Sequence, residues 1–258
     1  MVILHVKRGD ESHFLFSAGV QEAVDVLVRD ITAIFNGRLK VGRICAEMAE
    51  LAEHGVTLPP NMQGLTDEQL VDLKLKDEWE DKCVPSGGAV FKKDDIGRRN
   101  GHAPNEKMKA VLLKTVDEAK ALISKKQVEV NVCVTMAMVK EALAQLRGAV
   151  MIAYPMGLPP HDPIRMELED REDLSGTQAS LQVLEESECQ LWWAAKEMQR
   201  GKKLQDYIGK NDKTKLVVKI QKKLEEADDD SYMDSEWSDR QALKRQFQGL
   251  TNIKWGPR

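Results

Sequence analysis

Along the first seventeen residues apolar and polar positions alternate. Val2, Leu4 and Val6 fall on one side, Ile3, His5 and Lys7 on the other, and after the turn-like RGDES a second run, HFLFSA, follows. A period of two marks a strand with one buried face, so residues 2–17 predict a β-hairpin. The period then changes. Val20, Ala23, Val24, Leu27, Ile31, Ile34 and Phe35 recur at the spacing of one helix face. Asn36-Gly37 has the chemistry of a helix stop. A second helix is expected beyond it, with Val41, Ile44, Cys45, Met48, Leu51 and Ala52 inward and Gly55 at its end.

A hairpin followed by a packed helix resembles the opening of a β-grasp, or ubiquitin-like, unit. Residues 56–66, with two prolines and a glycine, read as an ordered connection. Thr66 and Gln69 have capping-box spacing and open a helix through Leu70 and Leu73 toward Trp79. Residues 83–105, CVPSGGAVFKKDDIGRRNGHAPN, form a long irregular stretch. Loops of roughly 20 residues inside a domain are uncommon and tend to be functional or disordered. Helices resume at 106–124 and at 135–147, the latter capped by Thr135. AVMIAYP and IRMELE, around the proline-rich MGLPPHDP, predict a second strand pair, and a long helix is expected from Thr177 to Gln199. A polar helix over 213–226, a short helix near 238–248 and a closing strand at NIKW complete the prediction.

The expected fold class is α+β with more helix than strand. It begins with the hairpin-and-helix unit and has a second strand pair and long helix in its C-terminal half. The segments are 1–60, 61–148, 149–226, and an acidic linker with the C-terminal segment at 227–258, unless all four close into one compact domain. No repeat of 20–50 residues is visible, which excludes a solenoid.

Composition removes several classes of function. Thirty-eight Lys and Arg against 42 Asp and Glu leave a net charge of −4, the pI is 5.8, and mean hydropathy is −0.44. A polyanion binder usually carries a basic excess, so nucleic acid is not an expected partner. No apolar run approaches the roughly 18 residues of a membrane span, so no membrane partner is expected either. The four cysteines, Cys45, Cys83, Cys133 and Cys189, stand singly, with no Cys-x-x-Cys pair. They predict neither a zinc site nor a disulfide framework, and they fit reduced thiols in the cytoplasm. Lys7 arrives too soon for the apolar stretch of a signal peptide.

Two clusters stand out. The 85–101 loop holds Pro85-Ser86-Gly87-Gly88, Lys92, Lys93, Arg98 and Arg99, and residues 84–109 carry six basic and three acidic side chains. Glycines beside cations invite a phosphate-binding reading, that of a nucleotide- or phosphate-binding enzyme. No GxxxxGK[ST] follows a strand there, however, and Gly209-Lys210 is followed by Asn211 rather than Ser or Thr. A solvated loop, or one ordered on a protein partner, is the expectation. The second cluster is Trp192-Trp193. On a helix, adjacent residues point about 100° apart, so either the helix is buried over a wide arc or one ring lies at an interface.

The remaining candidates are weak. His5, His13, His54, His102 and His161 form no HExxH, and Ser86 and Ser175 form no GxSxG elbow. His161-Asp162 lies in a turn where Asp-Pro is ordinary turn chemistry. Asp228-Asp229-Asp230 lack the glycine and distal glutamate of a calcium loop. No catalytic residue, cofactor or metal is assigned.

Longer blocks carry a resemblance that periodicity does not. LHVKRGDES, FNGRLKV, LPPNMQGLTDEQ, KCVPSGGAVFKKDDIGRRNG, APNEKMK, QLRGAVMIAYPMGLPP, DPIRMELE and QLWWAAKEM resemble, in order, the Kurly family, also called cilia- and flagella-associated protein 298. The match covers residues 1 to about 221 and resumes at LKRQFQGLTNIKW. The resemblance implies a non-enzymatic cytoplasmic assembly factor or adaptor for axonemal dynein arms, found also near basal bodies. It implies a part in motile cilium function and in cilium positioning within planar polarity. Implied partners are other dynein-arm assembly factors, including a MYND-type zinc-finger protein, and dynein subunits. A structural component of the axoneme is the alternative. No catalytic or ligand-binding residues transfer from the family. Lys92, Lys93, Arg98, Arg99, Trp192 and Trp193 are the expected partner-binding residues on the residue reading alone. One departure concerns Ile220-Gln221. In the family a Glu/Lys-rich stretch follows this point, whereas here Lys222-Lys223-Leu224 follow directly.

Overall fold

The alternating start forms the hairpin it predicts. In the computed structural model, which describes residues 1–223, strands β1 (Val2–Arg8) and β2 (Glu11–Ala18) pair antiparallel. Val2, Leu4 and Val6 are fully buried beneath them. Helix α1 (Val24–His54) crosses the covered face, presenting Leu27, Ile31, Ile34, Phe35, Ile44, Met48 and Leu51 to the core.

Helix α1 is one helix of 31 residues where the sequence predicts two. Asn36 and Gly37 sit in its middle because tertiary contacts use them. The Asn36 side chain exchanges two hydrogen bonds with the backbone of Leu184, at 2.7 and 3.0 Å, as a neighbouring strand would. A Cβ on Gly37 would lie 2.7 Å from Val139 Cγ1, so the missing side chain lets a second helix approach. Glycine costs helix stability of about 1 kcal/mol relative to alanine, and close packing outweighs it.

The chain continues through α2 (Asp67–Asp72), opened by the predicted Thr66/Gln69 capping box. A short antiparallel pair, β3 (Ala89–Phe91) and β4 (His102–Pro104), lies inside the long irregular stretch. Helices α3 (Glu106–Leu122) and α4 (Met136–Ala153) start where predicted, α3 after an Asn105 cap and α4 at its predicted cap Thr135. They form a second layer, packing on each other and on α1.

From there the structure departs from the prediction. AVMIA is the last turn of α4, and IRMEL belongs to α5 (Pro163–Leu168). Asp162 caps α5 through its Oδ1, which accepts from the Ile164 amide at 2.9 Å, and Pro163 takes the first helical position. The Asp-Pro pair is therefore a helix start rather than a hairpin turn. The expected helix over 177–199 is only a short α6 (Gln178–Gln182), then β5 (Cys189–Trp193) and β6 (Lys196–Glu197). After α7 (Gln205–Ile208), the expected polar helix over 213–226 is instead strand β7 (Lys215–Lys222). Its pattern KLVVKIQK alternates, with Leu216, Val218 and Ile220 buried, so the true period is two. The C-terminal half thus holds a strand pair in other residues than predicted, and among the described residues no helix after α4 is longer than six residues. The helix near 238–248 and the NIKW strand lie outside the described residues.

The five strands form one mixed sheet in the order β2-β1-β7-β5-β6. Strand β7 inserts parallel to β1 and antiparallel to β5. The likeness to a β-grasp unit thus extends from the opening hairpin to the sheet as a whole, with α1 across its buried face. Two sets of ion pairs lock α1 to the segment after α4. Arg43 holds the nearly buried Glu167 through two N–H donors at 2.5 and 3.0 Å, and Lys40 bridges Asp170 and Glu172 at 2.6 and 2.7 Å. Met1–Lys222 form one compact unit. Among the described residues no helix is long and apolar enough to cross a membrane.

Candidate functional site: a braced surface loop

The 83–105 stretch is ordered by its own short-range chemistry. Asp94-Asp95-Ile96-Gly97 has the aspartate-first, glycine-last signature of a type I turn, and the Gly97 amide donates to the Asp94 carbonyl at 3.1 Å. The Asp94 carboxylate turns inward and accepts from the amides of Ile96, Arg98 and Arg99 at 3.0, 2.9 and 2.9 Å. Burial alone would raise this carboxyl; the three N–H donors outweigh it and hold it below the usual carboxylate range.

Arg99 runs from that turn into the protein and is only 4% exposed. One guanidinium nitrogen donates to the Gly55 carbonyl at 2.7 Å, the other to Glu47 Oε2 at 2.7 Å and to the Glu47 carbonyl at 3.2 Å. Arg98 takes the other oxygen of the same carboxylate at 2.8 Å. Glu47 therefore clamps two consecutive arginines. Gly55 completes the fit: its φ is +77°, and a Cβ there would lie 2.4 Å from the His102 carbonyl oxygen. Nearby, Lys92 and Lys109 bridge Glu53, and those two ammonium groups pull its carboxyl down to about 2.

Backbone bonds finish the brace. The Gly101 amide donates to His54, Asn100 to Val56, Leu58 to Arg98 and Gly64 to Gly97, all between 2.9 and 3.0 Å. At the entrance, the Ser86 amide donates to the Ala153 carbonyl at the end of α4, 2.7 Å away. The brace holds up an apolar tip, with Phe91 69% and Ile96 78% exposed and Val90 beside them. Grouped large apolar side chains on an ordered loop make this tip a candidate interaction surface.

The expected partner-binding residues separate in this geometry. Lys93 is exposed, and Arg98 and Lys92 are half exposed, each on a carboxylate. Arg99 lies beneath the loop and holds it in place. Lys92, Arg98 and Arg99 each meet a carboxylate of α1, Glu53 or Glu47, so the loop offers a phosphate little unopposed charge. The tryptophans stand elsewhere, on β5. Neighbouring strand residues point to opposite faces, which resolves how both can be accommodated. Trp193 packs toward the core with Leu191, while Trp192 lies on the outer face opposite Lys219, its indole N–H directed at Gln190 Oε1, 3.4 Å away. Ala194 and Ala195, with φ of +47° and +62°, form the two-residue turn to β6.

Glu47, Glu53, Asp94 and Gly55 are missed by the sequence reading although they build the site. The turn signature at 94–97 was the one local signal; the partners of Arg98 and Arg99 lie about fifty residues away on α1. Among the described residues no cluster of His, Cys, Asp and Glu suits a metal ion.

Fold and site define an α+β protein with a β-grasp-like sheet and a braced, apolar-tipped surface loop. The family model for cilia- and flagella-associated protein 298 matches residues 189–223 and 220–253. Relatives bearing that name are 67% identical in Danio rerio and 62% in Homo sapiens, covering both chains in full, and 46% in Drosophila melanogaster over 99% of each. The chain belongs to the family of cilia- and flagella-associated protein 298. No solved structure matches it significantly. Alignment with the Danio rerio relative runs over 290 positions against 258 residues here, and the two family-model matches overlap at 220–223. Relatives therefore carry positions without a counterpart in this chain, and the overlap points to the residues just after β7.

Proposed function

We propose that this protein is a non-enzymatic assembly factor or adaptor for axonemal dynein arms, working in the cytoplasm and at basal bodies in support of motile cilia and their positioning. Membership of a cilia- and flagella-associated family supports the setting. The observation that carries the adaptor reading is the braced loop: Asp94, Arg99, Glu47 and Gly55 hold Phe91 and Ile96 out in solvent beside Lys93 and Arg98. An ordered apolar tip fits a protein segment that presents apolar side chains. Other dynein-arm assembly factors, among them a MYND-type zinc-finger protein, and dynein subunits are the proposed partners.

The test uses Phe91→Ser, Ile96→Ser and Lys93→Glu together, leaving Arg99 in place. These positions are exposed, so the triple variant is expected to keep the wild-type circular dichroism spectrum and a melting temperature within a few degrees. Its recovery of a purified MYND-type zinc-finger assembly factor in a pull-down is expected to fall at least tenfold. Undiminished recovery by the folded variant would remove the loop from the partner surface.

A further inference from the structure

A pocket of about 450 Å³ opens on the other side of α1, between the β1–β2 turn and the 3₁₀ turn Lys125–Val128 that follows α3. Arg8, Glu11, His13, Arg38 and Lys125 line it, with Ile123 behind them. Strand geometry brings Arg8 and His13 there, from the end of β1 and the start of β2. Arg38 enters from the middle of α1.

The charge in this pocket is unmatched. Several other buried or half-buried cations meet carboxylates: Arg43 has Glu167, Lys40 has Asp170 and Glu172, and Arg99 has Glu47. Arg38 and Arg8 have no carboxylate within ion-pair reach among the described residues. Arg38 lies 5.2 Å over the Phe14 ring and uses one N–H, its Nε, on the Ile123 carbonyl at 2.9 Å. Arg8 lies 5.5 Å over Phe35 and donates Nη1 to the Gln182 carbonyl at 2.9 Å. The other guanidinium N–H groups of both have no protein acceptor among the described residues. Lys125 and Glu11 pair at the exposed rim, so two guanidiniums and one ammonium face one carboxylate.

His13 adds no countercharge. Burial and the charge of Arg38 push its imidazole down to about 4 against the opposing pull of Glu11, so it is neutral near pH 7; its buried Nε2 lies 3.6 Å from Glu11 Oε2, beyond hydrogen-bond reach. A purely structural role for Arg38, closing the end of α3 at Ile123, accounts for one of its five N–H donors. It does not account for Arg8 beside it.

We infer that this pocket binds the phosphoryl group of a small soluble phosphate or phosphate monoester, with Arg8 and Arg38 as the paired guanidinium donors and Lys125 at the rim. Planar guanidinium forks match the oxygens of a phosphate. A dianion balances the pocket's excess of two positive charges, which a single carboxylate would leave half opposed. Ile123 and Leu39 supply an apolar wall for the ester's carbon body. This site is separate from the 85–101 loop and does not rest on the assembly-factor reading.

The experiment titrates the full chain with inorganic phosphate, pyrophosphate and glycerol phosphate by calorimetry at constant ionic strength, with sodium chloride as the control. Saturable one-to-one binding is expected for at least one phosphate and none for chloride. Arg8→Gln and Arg38→Gln are each expected to weaken it at least tenfold, and Lys125→Gln less. Should Arg38→Gln fail to fold, Arg8→Gln decides, because Arg8 stands at a strand end and its one protein bond is to the last carbonyl of the five-residue α6. Absence of saturable binding, a response equal to that of chloride, or wild-type affinity in Arg8→Gln would each overturn the assignment.

Discussion

Glu47 is the residue on which the loop surface depends. It neutralises Arg98 at the surface and Arg99 beneath it, and removing one side of such a buried pair leaves an uncompensated charge. Glu47→Ala is expected to lower unfolding free energy by about 2–4 kcal/mol, read from the urea midpoint. It should also speed amide exchange across residues 92–101, whereas Ile96→Ser, at a side chain 78% exposed, should stay within about 0.5 kcal/mol of the parent. His13 governs a different property. The unfolded chain binds a proton at His13 below about pH 6.5, whereas the folded chain resists it until about pH 4. Folding stability from this group is therefore present above pH 6.5 and is lost as pH falls toward 4, by up to about 3 kcal/mol. A melting-temperature profile over that range should be flatter in His13→Gln.

Individual elements show where pattern suffices and where it fails. The hairpin β1–β2, the capping box at Thr66 and the starts of α3 and α4 are legible because their signals are local: alternation, or a cap three residues from its partner. The middle of α1 was not legible. Asn36-Gly37 carries a stop signal, but the competing interactions come from Leu184 and Val139, more than a hundred residues away. The second half misled for a related reason. QLWWAAKEM and KLVVKIQK are short apolar runs that suit either a helix or a strand, and the sheet decides by pairing β7 with β1 and β5. Phe91 and Ile96 fall in a stretch without periodicity, so the sequence does not show which way they face; the brace beneath them puts them outside. Two substitutions test these element-level accounts. Gly37→Ala should cost about 1–3 kcal/mol through the clash with Val139, and adding Val139→Ala should recover most of it, as a double-mutant cycle would show. Ala194→Asn with Ala195→Gly should raise stability by roughly 0.5–2 kcal/mol, since both positions hold positive φ in a two-residue hairpin turn.

Over the whole molecule, the net charge of −4 conceals a division of labour. The β-grasp-like sheet and the α1, α3 and α4 layer form one core, and the polar chemistry brackets α1. The C-terminal part of α1 supports the braced loop. Its middle carries the cationic pocket. On the proposed function, the loop surface of this cilia- and flagella-associated chain serves the assembly of dynein arms. The most direct measurement is electron microscopy of axonemes from ciliated cells whose own copy has been replaced by the Phe91→Ser, Ile96→Ser, Lys93→Glu variant, expressed at the parental level. Axonemes lacking dynein arms, with microtubules otherwise intact, are the predicted result; a full complement of arms on cilia built with that folded variant would contradict the account.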